Sequence, residues 1–319
     1  MRNHVNADLR PFVDLLPVVD FENNALDDIR ANTAMGALEA PSGDGFEVAL
    51  TIETALGPNG NPSVQVLVYR PTGQRQPLPA IFHIHGGGYV MGSPMIMDTT
   101  NRQLSAELSC VVVSVVYRLA PETVFPGSIE DCYAALTWLF TNATALGIDA
   151  TRVGIKGESA GGGLAAALAL MTRDRREFSL IFQNLKAPML DDRTCLRADI
   201  SPYIGEFLWT PDQNRFGWTA LLGHAPGIEG VSAYAAPARA VELAGLPPTF
   251  ISVGSIDLFL EENLEYARRL AVAGVPVELH VYPGGFHGFD MIPGAAIGAE
   301  AARASQENMR KAFAISAGA

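Results

Sequence analysis

Cysteine is scarce in this chain of 319 residues, and no long uncharged apolar run occurs in it. The three cysteines, Cys110, Cys132 and Cys195, are too few and too scattered for a disulfide framework, and no C-x-x-C pair or Cys/His cluster suggests a metal site. We therefore expect buried reduced thiols, no metal and a cytoplasmic protein. Because long apolar runs are lacking, we expect no signal peptide and no insertion into a membrane.

Lysine is equally scarce, since it occurs only at Lys156, Lys186 and Lys311, and 34 acidic residues outnumber 22 basic ones. The net charge of −12 argues against nucleic acid or an anionic membrane surface as a partner. Hydrophobic residues make up 48% of the chain and charged residues 18%, which is typical of a globular protein with a large core.

Short apolar stretches alternate along the chain with segments of helical periodicity. This order is typical of an α/β protein whose mostly parallel sheet is covered by helices on both faces. The predicted strands are 46–51, 64–70, 80–84, 111–116, 152–156, one within 180–190, 248–254 and 277–282. The predicted helices are 100–108, 129–140, 164–171, 261–273 and 299–313. The turn residues 57–60 (GPNG) predict a hairpin between the first two strands.

Two segments show no strand pattern. Residues 1–45 look like a small helical appendage that ends in a turn-rich joint, and residues 191–236 are rich in aromatic residues and prolines. Ligands of open α/β sheets bind at the carboxyl ends of the strands, and we predict that 191–236 is an insertion over that edge.

The sequence GESAGGG at 157–163 lies between a predicted strand and a predicted helix. A G-x-S-x-G in that context predicts a nucleophile elbow, a sharp turn that exposes the hydroxyl of Ser159. The flanking glycines fit because larger side chains would collide with the strand or the helix. The pentapeptide alone is weak evidence, and a serine nucleophile needs a base that is held by a third group.

Six histidines are available as the base. His287 follows the last predicted strand in the loop 283–289, from which a mobile side chain can reach the elbow. His83 and His280 lie inside predicted strands, where structural histidines are expected. His4 lies in the terminus and His224 in a turn of the insertion, and His85 belongs to a glycine-rich loop that is considered below.

The acid that holds the base has more than one candidate. Asp257 follows the strand 248–254 closely, and the order Ser159, Asp257, His287 is the order of α/β hydrolases. Asp191 and Asp192 also follow a predicted strand and are the alternatives. An Asp at such a turn can also serve simply as a helix cap.

The stretch His85-Gly86-Gly87-Gly88 follows a buried strand upstream of the elbow. Three glycines let the main chain approach a reacting carbonyl group closely, so this loop is a candidate oxyanion hole. We expect His85 to organise the loop by hydrogen bonding rather than to transfer protons.

With these residues placed, the chain resembles the hormone-sensitive lipase family of serine esterases, the bacterial family IV of α/β hydrolases. The matching motifs are HGGGYVMGS at 85–93, YRLAPE at 117–122, Phe125-Pro126 with Glu130-Asp131, GESAGG at 157–162 and FHGF at 286–289. The resemblance extends from about residue 78 to residue 289. It implies an α/β-hydrolase fold with an eight-stranded, mostly parallel sheet, flanking helices and a helical cap.

The resemblance also implies which groups act. The catalytic residues would be Ser159, Asp257 and His287, and the amides of Gly87, Gly88 and Ala160 would bind the oxyanion. Residues 1–45 and 191–236 would form the cap, and 46–190 and 237–319 the catalytic core of a single domain. A possible acyl pocket would include Tyr89, Phe207 and Trp209. A homodimer through the last strand is expected from the family and from its unpaired edge.

Two positions depart from the family pattern. Glu158 precedes the nucleophile where the family usually has Asp or Thr, and the D-P-L-R-D-E that follows the acid reads DLFLEE at 257–262. The implied activity is that of a carboxylesterase which hydrolyses short- to medium-chain esters through an acyl-enzyme, without a cofactor. The alternatives are a binding protein on the same fold, an amidase or peptidase, and a true lipase.

Overall fold

The computed structural model describes residues 2–17, 19–21, 26–31, 45–57, 63–74, 76–197 and 199–316. Eight strands form one sheet in the order β1-β2-β4-β3-β5-β6-β7-β8. The strands are β1 (Val48–Ala55), β2 (Val64–Pro71), β3 (Leu78–Ile84), β4 (Val111–Val116), β5 (Ile148–Glu158), β6 (Gln183–Lys186), β7 (Thr249–Gly254) and β8 (Val277–Tyr282).

The sheet is mostly parallel, as the sequence predicts. Only β2 runs antiparallel to its neighbours, which are β1 and β4. From β4 onward, in the order β4-β3-β5-β6-β7-β8, each strand is parallel to the next. The hairpin between β1 and β2 is confirmed as a pairing, but 58–60 of its predicted turn lie outside the described residues. β5 is longer than predicted because Ile148 pairs with Leu78 across a register shift.

Six longer helices accompany the sheet, at Asp98–Leu108, Gly127–Thr141, Ala160–Arg175, Pro211–Leu222, Leu260–Val272 and Ala296–Ser316. Five of them were predicted within a few residues, and the exception is Pro211–Leu222. Its first turn is fixed by a capping box in which Thr210 and Gln213 exchange hydrogen bonds, followed by Pro211 at the first helical position.

The core lies on both faces of the sheet. The elbow helix Ala160–Arg175 lies on one face, and every residue from Ala160 to Thr172 is buried there. Its small side chains let the helix approach the sheet closely. On the other face Leu104, Met309 and Phe313 pack against the strands in a second cluster. The predicted helices on both faces are thus confirmed.

The amino-terminal segment lies on the loops at the carboxyl ends of the strands. It contains the short helices Arg2–His4 and Arg10–Leu15 and a helical stretch at 26–31. The backbone amide of Asn6 donates to the carbonyl of Gly284, 3.0 Å away, in the loop that carries His287. At the other end Arg30 donates Nε to the carbonyl of Val90, 2.8 Å away. The predicted joint at 40–45 lies outside the described residues except for residue 45.

Residues 191–236 contain no strand in the part that the structure describes, as expected. Besides Pro211–Leu222 they hold the short helix Thr194–Leu196. Phe216 stacks on Phe21 with a ring-centre distance of 4.4 Å, which joins this insertion to the amino-terminal segment. The division of the chain into cap and core stays a prediction, and this contact agrees with it.

The cysteines are all free. Cys110 and Cys132 are buried as expected, whereas Cys195 is only partly buried, because it lies in the insertion rather than under the sheet. No helix in the described part of the chain is long and apolar enough to cross a membrane.

Candidate active site

Ser159 lies at the turn between β5 and the elbow helix, with φ 54° and ψ −122°. A side chain at positive φ is strained, and the surrounding hydrogen bonds hold it there. The amide of Ser159 donates to the carbonyl of Lys186 at 2.8 Å, and its carbonyl accepts from the amides of Gly163 and Met189 at 3.0 and 2.9 Å. The turn is therefore fixed by β6 as well as by its own helix.

Three glycines make room for this turn. A Cβ atom on Gly157 would collide with the carbonyl of Gly161, and one on Gly161 would collide with the carbonyl of Ile84. A Cβ atom on Gly86 would lie 2.9 Å from the carbonyl oxygen of Glu158. The glycines that the sequence analysis attributed to the elbow thus have a steric reason in the backbone packing.

The side chains of Ser159, His287 and Asp257 form one hydrogen-bonded chain. His287 Nε2 lies 2.9 Å from Ser159 Oγ, and His287 Nδ1 lies 2.9 Å from Asp257 Oδ2. Asp257 is buried, and its second oxygen accepts the amide of Phe259 at 2.9 Å. An ionised carboxylate can only accept, so Nδ1 carries the proton and Nε2 is left to accept the serine proton.

The alternative acids lie elsewhere. Asp192 is buried in an ion pair with Arg239, and it also accepts the amide of Gly227 at 2.6 Å. Asp191 pairs with the neighbouring Arg193. Neither carboxylate contacts His287: Asp191 holds the backbone at the start of the insertion, and Asp192 ties that start to Gly227 and Arg239.

The remaining histidines have other partners. His4 packs against the ring of Tyr203, His224 bonds the carbonyl of Ala225, and His280 bonds Glu278 within β8. His83 is fully buried and lies 2.6 Å from Ser114 Oγ through Nδ1. The interpretation of His83 and His280 as structural histidines agrees with these contacts.

The loop His85-Gly86-Gly87-Gly88 runs beside the turn at Ser159. His85 bonds the carbonyl of Gly86 at 2.8 Å through Nδ1 and stacks on Tyr117, whose hydroxyl donates to the carbonyl of His85. Burial lowers the pKa of His85 to about 4, so the ring is neutral at pH 7. These contacts suit an organising role for His85, and its low pKa argues against a role in proton transfer at pH 7.

Gly87 and Gly88 have φ angles of 125° and 60°, which non-glycine residues rarely adopt. Among the described residues, the amides of Gly87, Gly88 and Ala160 donate to no protein acceptor. Backbone amides are normally paired, so free amides on residues that directly follow Gly86 and Ser159 suit a ligand oxygen that carries negative charge.

The candidate pocket residues occupy different environments. Tyr89 is enclosed in the core, and its hydroxyl donates to the carbonyl of Met189 at 3.1 Å, which favours a packing role. Phe207 is partly buried against Phe286, the residue before the histidine base. Trp209 lies 6.4 Å from the ring of His287 and against Gly88. Trp209 is thus beside the reacting groups, whereas Phe207 contacts only the neighbour of the histidine base.

Glu158, the departure from the family pattern, belongs to a charged group that the sequence analysis missed. Its carboxylate, which is partly buried, forms an ion pair with the buried Lys156 and lies 2.9 Å from His83 Nε2. Burial and the nearby Lys156 and Lys186 lower the pKa of His83, so the neutral ring donates from Nε2 to Glu158.

A second ion pair, between Lys186 and Asp290, lies beside the first. Asp290 is three residues beyond His287, and the carbonyl of Lys186 accepts the amide of Ser159. The pKa of Asp290 is raised by burial and lowered more by Lys186, for a net decrease. Two of the three lysines of the chain thus stand under the site. Their scarcity and their positions at strand ends next to the elbow were the available signals.

In the described residues no three His, Cys, Asp or Glu side chains are grouped so that they could hold a metal ion. The charged groups nearest the elbow are matched pairs of lysine and carboxylate, whose donors and acceptors are already bonded to each other.

The sequence and the fold of this chain are similar to those of known proteins. Residues 81–291 match the family model described as the alpha/beta hydrolase fold. The chain is 36% identical to the carboxylesterase NlhH of Mycobacterium tuberculosis over 245 residues, which cover 74% of each chain. It is 31% identical to an ethyl acetate hydrolase of Pseudomonas putida, with 71% of each chain covered. The solved structure of a bacterial heroin esterase superposes with a TM-score of 0.92, at 38% identity and 98% coverage of both chains.

The contacts of the carboxylates predict how two substitutions differ. Asp257→Asn should lower kcat for ester hydrolysis by roughly 10³- to 10⁴-fold, because an amide no longer holds the Nδ1–H tautomer of His287. Asp192→Asn is the matched control, since it also neutralises a buried carboxylate but has no contact with His287. Steady-state kinetics with melting curves decide between them. A larger loss of kcat in folded Asp192→Asn than in Asp257→Asn would show that Asp257 is not the acid that holds His287.

Proposed function

Because this chain belongs to the family of proteins with the α/β hydrolase fold, we propose that it is a carboxylesterase whose nucleophile is Ser159. The observation that carries the proposal is the hydrogen-bonded chain from Ser159 Oγ through His287 to Asp257, with distances of 2.9 Å at both steps. The names of the relatives, which include a carboxylesterase and an ethyl acetate hydrolase, support esters as the substrate class.

In the first half of the reaction Ser159 Oγ attacks the ester carbonyl carbon while its proton moves to His287 Nε2. The electron pair of the carbonyl bond moves to oxygen, and the amides of Gly87, Gly88 and Ala160 stabilise that charge. Asp257 stabilises the imidazolium that forms. The C–O bond to the alcohol then breaks, and the alcohol leaves with the proton from Nε2. The acyl group remains as an ester of Ser159.

In the second half, His287 Nε2 takes a proton from water as the water oxygen attacks the acyl-enzyme. The second tetrahedral intermediate uses the same three amides, and its collapse returns the proton to Ser159 Oγ. The product is the carboxylic acid. Apart from the ester and the water molecule, every group in this cycle belongs to the chain, and no cofactor takes part.

We propose short- to medium-chain esters as the substrates, with the acyl group beside Phe207 and Trp209. Trp209 is 4% exposed and lies close to both His287 and Gly88, so its indole closes the space next to the carbonyl. Large rings limit the space without much conformational entropy. The insertion that supplies both residues, together with the amino-terminal segment, is the proposed cap. We propose a cytoplasmic location, which the free thiols support.

The nucleophile can be tested by one substitution. Ser159→Ala should reduce hydrolysis of p-nitrophenyl butyrate by roughly 10⁴-fold or more. The free energy of unfolding should change by only about 1 kcal/mol, because one hydrogen bond is lost and the backbone is unchanged. Ser179→Ala, at an exposed serine, is the control and should keep full activity. Near-normal turnover by purified, folded Ser159→Ala would remove Ser159 from the mechanism.

The acyl pocket generates a separate prediction. Phe207→Ala should shift the preferred ester toward longer acyl chains, because each further methylene that enters an apolar space contributes about 0.8 kcal/mol, or roughly fourfold in kcat/KM. Phe216→Ala is the matched control, since that ring stacks on Phe21 instead. The measurement is kcat/KM on acetate, butyrate, hexanoate and octanoate esters. The same profile in wild type and folded Phe207→Ala would exclude this ring from the pocket.

We also propose a homodimer that forms through β8. Within the described part of the chain this strand pairs with β7 alone, and its side chains Leu279 and Val281 are 37% and 39% exposed. An unpaired strand edge can pair with a second copy. Light scattering at micromolar concentration should give about twice the chain mass of 34.0 kDa. A mass equal to one chain would rule the dimer out under those conditions.

A further inference from the structure

Gly217 lies in the middle of the helix Pro211–Leu222, where glycine weakens a helix relative to alanine. Its φ angle is not positive, so the conformational freedom of glycine is not needed there. Space is the reason: a Cβ atom at Gly217 would lie 2.7 Å from the carbonyl oxygen of Gly88. The helix thus approaches the backbone of the oxyanion loop more closely than any side chain would allow.

Trp209 touches the same residue of the loop. A Cβ atom on Gly88 would lie 2.7 Å from Cζ2 of the indole, and still closer to its outermost ring carbon. The indole is itself held, because Nε1 donates to Oδ1 of the buried Asn214 at 3.1 Å. Asn214 in turn donates to the sulfur of Cys195 at 3.0 Å. Gly88 is therefore enclosed by two groups that both belong to the segment 191–236.

This enclosure bears on the rate because a backbone amide stabilises an oxyanion only at hydrogen-bond distance from it. Gly88 has a left-handed φ of 60° and the next residue, Tyr89, one of 68°, so hydrogen bonds inside a helix or strand do not fix this stretch. Main-chain hydrogen bonds hold the residues on either side, since the carbonyl of Gly87 accepts from Met91 and that of Tyr89 accepts from Ala120. Among the described residues Gly88 itself makes no main-chain hydrogen bond, so its own position depends on what packs against it. The contacts from Gly217 and Trp209 supply that packing on the side that faces the insertion.

We infer that Gly217 and Trp209 are positioning residues for the oxyanion loop, so that the segment 191–236 determines the rate of acyl transfer as well as the space for the acyl chain. The inference rests on the proposed esterase function. It separates two effects: a pocket wall changes activity according to acyl length, whereas a displaced oxyanion loop changes it equally for all esters, since every ester has the same carbonyl group.

Gly217→Ala tests the inference directly. The added methyl group favours the helix but must displace the carbonyl of Gly88, so kcat should fall at least tenfold while KM changes less than threefold. The loss should be the same on acetate, butyrate and octanoate esters. Thr219→Ala, at an exposed position of the same helix, is the matched control and should keep wild-type kcat.

A transition-state analogue gives a readout that a purely structural role would not change. The inhibition constant of an alkyl trifluoromethyl ketone should rise in Gly217→Ala by the same factor by which kcat/KM falls, because the analogue uses the oxyanion amides. Unchanged kcat in folded Gly217→Ala would overturn the inference, as would a loss that depends on acyl length. If Gly217→Ala does not fold, Trp209→Phe replaces it. That variant removes the ring atoms next to Gly88, and wild-type kcat on the acetate ester would be the contradicting result.

Failure of this inference is distinct from failure of the proposed function. If wild type releases no acid from any of the three esters, the esterase proposal fails. If wild type is active and both Gly217→Ala and Trp209→Phe keep the wild-type kcat, the esterase proposal stands and the positioning role is wrong.

Discussion

The left-handed backbone at Ser159 is the constraint on which the rest of the site depends. A serine at φ 54° has to be held by its surroundings, and three main-chain hydrogen bonds tie it to β6, to the elbow helix and to the start of the next loop. The same turn forces glycine at 157 and 161 because their neighbours are backbone atoms. In return the hydroxyl leaves the sheet at a point that His287 reaches from the end of β8.

Beneath the turn the sheet carries charges where a hydrophobic layer would be expected. Lys156 with Glu158, and Lys186 with Asp290, form two largely shielded ion pairs, in which the Lys156 side chain is 3% exposed and the other three are 14–16% exposed. A buried ion pair is weak evidence for stability, since the desolvation of both charges offsets much of their attraction. Lys156 is buried, however, so removal of Glu158 would leave a buried ammonium group without its partner, which is destabilising. The Lys186–Asp290 pair joins the end of β6, which binds the amide of Ser159, to the residues after His287, so it ties the elbow to the histidine loop.

The sequence was sufficient for features that are local. The G-x-S-x-G between a strand and a helix, the loop of His287 and the alternation of strands and helices each depend on adjacent residues, and the sheet and its flanking helices follow the prediction. Contacts between distant segments could not be predicted in this way. Nothing near Gly217 in the sequence indicates Gly88, and nothing near Phe21 indicates Phe216. Glu158 was recognised as unusual, and Lys156, two residues earlier, shares its face of β5, but the contact of Glu158 with His83 of β3 is not local. The environment of Tyr89 likewise depends on Met189, one hundred residues away.

The central claim is that Ser159, activated by His287, is the group that becomes acylated. A p-nitrophenyl alkylphosphonate tests it most directly, because the serine that attacks phosphorus keeps the phosphonyl group and releases one nitrophenolate. The account predicts one equivalent of nitrophenolate per chain, loss of esterase activity in parallel, and the added mass on the peptide that contains Ser159. Complete inactivation with the added mass on any other residue, or full activity after labelling of Ser159, would contradict it.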